Sequence, residues 1–430
     1  MKIIITGAGL GGLTCAIASR LENLDVTVLE RTPDILPVGA GIQIPPNGAR
    51  VLEQLDLLDA VLDKGAVVRS MDLRRYRDGR VLGAMECGDV VWREYGGPWV
   101  MIHRADYQRI LFDRAIALGA EVRLGATVTD VDVDRTQVIL EDGERVSGDV
   151  VIGADGLWSC VRDGILERPS PPIETGDMAY RAVFPRAKLD ALDDAEVDAL
   201  LARTGVTAWL GPEKHAVFYP VRGGEEFNLV LLQPDDLPVD VRTDQGDIAE
   251  LLVGFRDWNG TLKKLISAIP PMLKWKLCHL PELETWSKGC VTLLGDACHP
   301  TLPYQAQGAA MAVEDGAVLA MLLASVARGV RKDGDSDRVT VSAIREALLT
   351  YEDLRKAPTT ANVQGALRNR NAFHLKDGML QWLRDLILGW SGMTRETDWV
   401  GLMSRRQSQT LAYDALAECR KRIDDPGNEH

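Results

Sequence analysis

Three glycines and one carboxylate near the start of the chain have the spacing of a phosphate cradle. Gly7, Gly9 and Gly12 read as G-x-G-x-x-G directly after the apolar run Lys2–Thr6, and Glu30 follows about 20 residues downstream. In such a motif Gly7 turns the chain, Gly9 lets the backbone approach a pyrophosphate, and Gly12 lets helix and strand pack closely. Glu30, with Arg31 beside it, then stands where a carboxylate accepts hydrogen bonds from ribose hydroxyls and repels a 2′-phosphate. Two more acid–glycine pairs end apolar runs: Asp155-Gly156 in GDVVIGADGLWSCVR, and Gly295-Asp296 in CVTLLGDACHP. The stretch HAVFYP offers a different chemistry. With a period of two, His215, Val217 and Tyr219 share one strand face while Ala216 and Phe218 share the other. A neutral imidazole is a suitable base near neutral pH. Arg181 in AYRAVFP and Arg222 in YPVRGG are candidates for holding an anionic substrate group, or else simple surface pairs.

These residues need elements to hold them. Lys2–Thr6 suits a strand buried on both faces of a parallel sheet, Leu10–Glu22 has helical periodicity, and Val26–Leu29 is a second buried strand. The resulting βαβ unit points to nucleotide binding, because strand, helix, second strand and acid are all in register; it does not choose between FAD and NAD. Residues 66–145, with a helix over Arg104–Leu118 and a hairpin turn at Glu141–Glu144, belong with this nucleotide domain. From Gly176 to Glu284 the pattern shifts to longer strands (Met178–Phe184, Val206–Leu210, Ala216–Val221, Phe227–Leu232) and two helices, Ile248–Trp258 and Thr261–Ile269. The fold class is α/β, with this second, mixed sheet inserted between two strands of the nucleotide domain. Beyond Gly308 the chain is mostly helical, interrupted by a solvated connection at Arg328–Arg338.

Composition narrows the field. With 430 residues, 46% of them hydrophobic, the chain is long enough for two or three domains. A net charge of -14, without any Lys/Arg block, argues against nucleic acid. Cys15, Cys87, Cys160, Cys278, Cys290, Cys298 and Cys419 are odd in number and scattered, the pattern of reduced thiols in the cytoplasm and of no metal site. Cys298 and His299 read as loop packing, since two adjacent side chains make neither a metal site nor a nucleophile. The apolar run Ala317–Ala327 is shorter than the roughly 20 residues a membrane-spanning helix needs, so no transmembrane segment is expected. The stripe Met379, Leu380, Trp382, Leu383, Leu386, Ile387 and Trp390 could pack on the nucleotide domain, form a dimer interface or lie on a membrane; its few basic residues make the last use the weakest.

The order GAGLGG with Glu30, GADG at 153–156 and GDACHP at 295–300 resembles the single-component, FAD-dependent aromatic hydroxylases of the para-hydroxybenzoate hydroxylase type. The resemblance covers most of the chain, and the end at His430 is similar to the short salicylate hydroxylase-like branch. It implies a Rossmann-like FAD-binding domain (1–175 and 286–370), a substrate domain (176–285) and a C-terminal helical region (371–430). It implies that Asp296 meets the ribityl chain and that Asp155 and Gly156 serve both FAD and the nicotinamide co-substrate. Arg104, in HRADYQRIL, would lie near the flavin, unless it is only a helix-start salt bridge. The stretch 39–52 is similar to a flavin-covering segment, and LPYQAQG, with Pro303, Gln307 and Gly308, to a flavin-proximal loop. The implied activity is hydroxylation of a small aromatic substrate, salicylate or a related hydroxybenzoate, with NADH or NADPH and O2, through a flavin hydroperoxide. His215 would be the base that makes a phenolate and Tyr219 a hydroxyl that orients the substrate. A larger phenolic or polyketide metabolite, or a different flavin oxidase or reductase, remains an alternative, as do monomer and homodimer.

Overall fold

The computed structural model describes residues 1–35, 39–333, 340–391 and 404–425. Its first sheet has six strands in the order Ser287–Lys288, Val291–Leu293, Val150–Gly153, Lys2–Thr6, Asp25–Glu30 and Glu121–Leu124. All neighbours run parallel except the Ser287–Lys288 edge. Ile3, Ile4, Ile5, Val150, Val151 and Ile152 are fully buried, as continuous apolar strands covered on both faces should be. The helix Leu10–Leu21 covers one face, packed against the long helix Gly308–Asp333.

The expected strands of the middle region form an eight-stranded mixed sheet: Thr243–Gln245, Leu273–His279, Ile173–Pro185, Glu226–Pro234, Lys214–Val221, Gly205–Gly211, Ser70–Arg75 and Val81–Glu86. The last two correct the expectation that residues 66–145 all lie with the nucleotide domain. Ser70–Arg75 pairs in parallel with Gly205–Gly211, giving that strand's outer edge a hydrogen-bonded neighbour. Side chains alternate as a period of two requires. Tyr180, Phe184, Ala216, Phe218, Leu229 and Leu231 face a core covered by the helices Ala195–Leu201, Ile248–Gly254 and Gly260–Ser267, where Phe218 and Phe227 stack 5.2 Å apart. Arg181, Val217, Tyr219, Val230 and Leu232 face the other way, toward the six-stranded sheet's ligand edge.

Two further expectations change. The apolar part of the helix Gly308–Asp333 extends over Gly308–Gly329, with mean hydropathy 1.7 in its most apolar window, so by length and composition it could cross a bilayer. That window is 72% buried inside the fold, and Glu314 and Asp315 point into the core from it, as suits a core helix of a folded domain. This helix also occupies the first part of the expected Arg328–Arg338 connection; residues 334–338 lie outside the described residues. The helix Met379–Ser391 docks on the outer edge of the eight-stranded sheet through buried Leu388, while Met379, Leu380, Trp382, Leu383, Leu386 and Ile387 are exposed, so the stripe does not pack on the nucleotide domain. The Trp390 side chain lies outside the described residues.

Candidate active site

Four adjacent parallel strands end on the same edge, and each carries one of the motifs. In spatial order these are Gly295-Asp296 after Val291–Leu293, Asp155-Gly156 after Val150–Gly153, Gly7 after Lys2–Thr6, and Glu30 closing Asp25–Glu30. Ligands of open α/β sheets bind at this carboxyl edge, where the strand order reverses. Here the chain goes from Lys2–Thr6 to Asp25–Glu30 on one side and later to Val150–Gly153 on the other, so the crevice opens at Gly7–Gly12.

The glycines do separate jobs. Gly7 has φ +102° and a Cβ there would lie 2.5 Å from the Ala154 carbonyl oxygen; a Cβ on Gly12 would lie 2.2 Å from the Gly7 oxygen. A Cβ on Gly9 would meet no protein atom within 4 Å, because this position faces the crevice. The crevice has two connected parts, of about 470 and 380 Å³, sharing Gly9, Arg104, Ala154 and Gly156. The larger part runs past Glu30, Arg31 and Asp155. Glu30 is fixed there by hydrogen bonds donated by the Ala8 N–H (2.8 Å) and the Thr32 N–H (2.9 Å). Asp155 Oδ2 accepts from the Cys160 N–H at 2.9 Å, and its Oδ1 is buried without a partner. An unsatisfied buried carboxylate oxygen and a glycine with open space in front of it are the features a nucleotide would complete.

The smaller part is walled by Arg181, Val217, Tyr219, Val230 and Leu232 from the eight-stranded sheet, and by Gly295, Asp296, Leu302, Pro303, Gln307 and Gly308 from the other. Burial raises the Asp296 carboxyl above the usual carboxylate range, against the opposing charges of His299, Arg104 and Arg181. Burial also pushes the Tyr219 phenol up, the Arg181 guanidinium partly offsetting it. Arg104 and Arg181 form no ion pair among the described residues, so the expected helix-start bridge of Arg104 is not formed. Arg222 is different. It is held by Asp106 (2.8 and 2.9 Å) and by Glu226 (3.1 Å) away from the cavity, which removes it as a substrate ligand and makes it a half-exposed structural pair. The Asp106 and Glu226 carboxylates accept from the guanidinium fork that a substrate anion would need.

His215 continues the face of Val217 and Tyr219 but does not line the cavity. It is buried, with Nδ1 2.8 Å from Nε2 of His374 and its ring 5.0 Å from that of Tyr304. Burial pushes it well below the ordinary histidine value, with the nearby His374 adding to the effect.

Several supporting residues escaped the sequence reading. Asn47 exchanges hydrogen bonds with Gln307 (3.0 and 3.3 Å) and donates to Glu314 at 2.9 Å, so Gln307 is committed to the protein even as it borders the cavity. Glu314 and Asp315 both pair with buried Arg355, at 2.6 and 2.7 Å, and Asp315 bonds His299 at 2.6 Å and accepts the Gly295 N–H at 3.1 Å. His299 is therefore part of a buried charge network that fixes the Gly295-Asp296 turn, rather than loop packing alone. Burial raises Asp315, but His299 and Arg355 outweigh it and leave the carboxyl below its ordinary value. Arg162 donates to the Ala297 and Leu157 carbonyls, both at 3.0 Å, tying the two acid–glycine turns together. Two acids inside an otherwise apolar helix were the visible signal for Arg355; nothing local marks Arg162 or His374.

The comparisons agree with this geometry. The FAD binding domain family matches residues 1–364. FAD-dependent monooxygenase OpS4 of Beauveria bassiana (strain ARSEF 2860) is 40% identical over 425 residues, covering 97% of this chain and 96% of that one. 3-Hydroxybenzoate 6-hydroxylase 1 of Aquipseudomonas alcaligenes is 33% identical over 420 residues, 95% of this chain and 98% of its own. A salicylate hydroxylase solved as a substrate complex has the same fold, with TM-score 0.79 at 22% identity over 98% of this chain and 97% of that one. The cradle, its open carboxylate and these matches together establish that the chain belongs to the FAD binding domain family of flavoproteins.

Proposed function

We propose that this FAD-dependent monooxygenase hydroxylates a single-ring phenolic substrate bearing an anionic group, of the hydroxybenzoate or salicylate class. The observation that carries the reading is Arg181: a guanidinium with no ion pair among the described residues, on the wall of a cavity continuous with the FAD cradle and with Asp296 as a more distant counter-charge. A guanidinium that no described carboxylate engages, in a cavity of a protein with net charge -14, is matched by a substrate carboxylate, which it can hold in a bidentate fork. A volume of about 380 Å³ is at the small end of ligand pockets, and it has to admit the flavin ring as well, which favours one aromatic ring over a larger metabolite. Relatives named for 3-hydroxybenzoate and for 3-amino-4-hydroxybenzoate support the class.

When bound, FAD reduced by NAD(P)H supplies the activated oxygen from O2. The chain's own residues do the rest. Gly7, Gly9, Gly12, Glu30, Arg31, Asp155 and Gly156 hold the dinucleotide; Gly295, Asp296, Arg104, Pro303, Gln307 and Gly308 border the flavin end. Arg181 anchors the substrate's carboxylate, and Tyr219 fixes the ring hydroxyl. Loss of the phenolic proton pushes electron density to the ring's ortho and para carbons, but His215 is buried behind Val217 and Leu232 without lining the cavity, so the base for that proton is not assigned to it. Apolar Val217, Val230 and Leu232 keep water from the reacting centre. The test is NADH and NADPH oxidation by the flavin-loaded protein with salicylate, 3-hydroxybenzoate and 4-hydroxybenzoate, recording oxygen uptake and peroxide together. The reading expects one compound to accelerate oxidation and gain oxygen with little peroxide. It fails if all three leave the rate at its basal level.

A further inference from the structure

On the cavity face of the eight-stranded sheet, cross-strand register groups Arg181, Val230 and Val217 in one row and Val183, Asn228 and Tyr219 in the next. The whole first row and Tyr219 line the FAD-proximal cavity; Asn228 does not, because it is fully buried under Gly41. Gly41 opens the strand Gly41–Ile44, which pairs with Val100–His103 rather than with the substrate sheet, and Gly41, Ile42 and Gln43 form another wall of the same cavity. The Gly41 N–H donates to Asn228 Oδ1 at 2.8 Å, and the Ala40 carbonyl accepts the Arg104 N–H at 3.0 Å, so the segment is tied to both sides of the crevice. The approach at Asn228 is closer than any side chain on residue 41 allows: a Cβ on Gly41 would lie 2.6 Å from Tyr219 Cε2 and 2.8 Å from Asn228 Cβ. Asn228 Nδ2, by contrast, is buried without a partner. An unpaired buried amide nitrogen is a cost to the fold, so what the side chain contributes is its oxygen and the link to Gly41.

Resting on the reading above, we infer that Asn228 is the positioning residue that closes this end of the substrate cavity: through the Gly41 N–H it fixes the covering strand against the Tyr219 ring and so keeps water from the reacting centre. Asn228 borders neither the cavity nor the cofactor crevice, and it acts only through Gly41. The row of Arg181, Val230 and Val217 is left open to the ligand, while the row of Asn228 is sealed by backbone from the other sheet. A seal made by a backbone N–H and a buried amide leaves no side chain to swing aside and no gap the size of a water between Gly41 and Tyr219. When it fails, the two electrons of NAD(P)H and a second proton reduce O2 to hydrogen peroxide, instead of one oxygen atom going to the ring and the other to water. The position therefore governs how NAD(P)H consumption divides between product and peroxide, and not whether FAD binds.

The test uses the full flavin-loaded chain, the three hydroxybenzoates above, and two variants: Asn228→Leu, which keeps the branching and removes the acceptor, and Asn228→Asp, which keeps the acceptor. With a compound that wild type turns over, at saturating concentration, Asn228→Leu is expected to raise the share of NAD(P)H that ends as peroxide at least fivefold with flavin content unchanged, and Asn228→Asp to stay within twofold of wild type. Amide hydrogen exchange of the same proteins gives the second arm: protection of residues 40–44 falls at least tenfold in Asn228→Leu, while that of Lys214–Val221 is unchanged. Support requires both results. A peroxide share within twofold of wild type in Asn228→Leu overturns the seal, as does an equal rise in both variants, or a loss of protection shared by Lys214–Val221, which would mean a weakened sheet. If Asn228→Leu does not fold, Gly41→Ala decides: its methyl forces the strand from Tyr219 and Asn228, so the same peroxide rise supports the seal and an unchanged share overturns it. If no compound stimulates wild type, the functional reading fails separately, and the exchange arm decides the seal alone.

Discussion

The carboxyl edge of the six-stranded sheet and the cavity face of the eight-stranded sheet meet across one crevice but are built by opposite means. The first is local. Each of its groups follows directly on a strand end, so strand geometry alone places Gly7, Glu30, Asp155 and Asp296 within one nucleotide's reach. The second is assembled from Ile173–Pro185, Lys214–Val221 and Glu226–Pro234, with a floor contributed by residues some 80 positions later in the chain, as in the Tyr219 and Leu302 walls. On the proposed reading, cofactor binding rests on short motifs and substrate choice on long-range packing, which would let one change while the other stays fixed.

The contrast is broken most strongly at the glycines. Gly12→Ala places a methyl where the Gly7 oxygen stands, and the expected result is loss of soluble folded protein or a large fall in Tm. Gly9→Ala adds the same methyl facing the crevice, so the apoprotein should keep its Tm while FAD affinity drops at least tenfold; flavin absorbance and thermal melts separate the two. On the other sheet, Arg181→Gln should raise KM for the aromatic acid about a hundredfold, in line with roughly 1.5–3 kcal/mol for a charge-assisted contact, leaving flavin content intact. A KM within twofold of wild type would move the anion site elsewhere.

The next effect is one of pH. His374 has a folded value of about 4 against 6.5 when unfolded, so between these values the unfolded chain binds the extra proton and stability rises with pH. This group's contribution is fully in place above pH 6.5 and is lost progressively down to about pH 4, by at most about 3 kcal/mol. Denaturant titrations of wild type and His374→Gln across that window should converge at low pH. The smallest effect belongs to Arg222→Gln, whose half-exposed pairs with Asp106 and Glu226 should cost about 1 kcal/mol or less and leave KM unchanged.

Most of the cradle was legible because its information is contiguous: the glycine spacing, the acid ending the second strand and the two acid–glycine turns need no knowledge of distant chain. The alternation of Ala216 and Phe218 against Val217 and Tyr219 was equally legible, since period two survives any tertiary arrangement. Illegible were the facts that depend on pairing partners. Ser70–Arg75 joins the inserted sheet by pairing with a strand some 135 residues away, as in Ser70 with Gly205. Arg181 and Arg222 look alike in sequence, yet Asp106, on the helix Arg104–Ala117, engages only one of them. Nor could the alternation in HAVFYP show that His215 is buried outside the cavity lining against His374, which arrives from the end of a helix with no local mark.

The account's central claim is that an aromatic acid held at Arg181 is oxygenated beside the FAD. The most direct measurement is mass spectrometry of the product formed from 3-hydroxybenzoate, salicylate or 4-hydroxybenzoate by flavin-loaded protein and NAD(P)H under isotopically labelled dioxygen, for wild type and Arg181→Gln at subsaturating substrate. The account predicts one labelled oxygen in the wild-type product and a loss of about a hundredfold in its formation by the variant. Contradiction would be a product whose added oxygen is unlabelled, or equal labelled yield from both proteins.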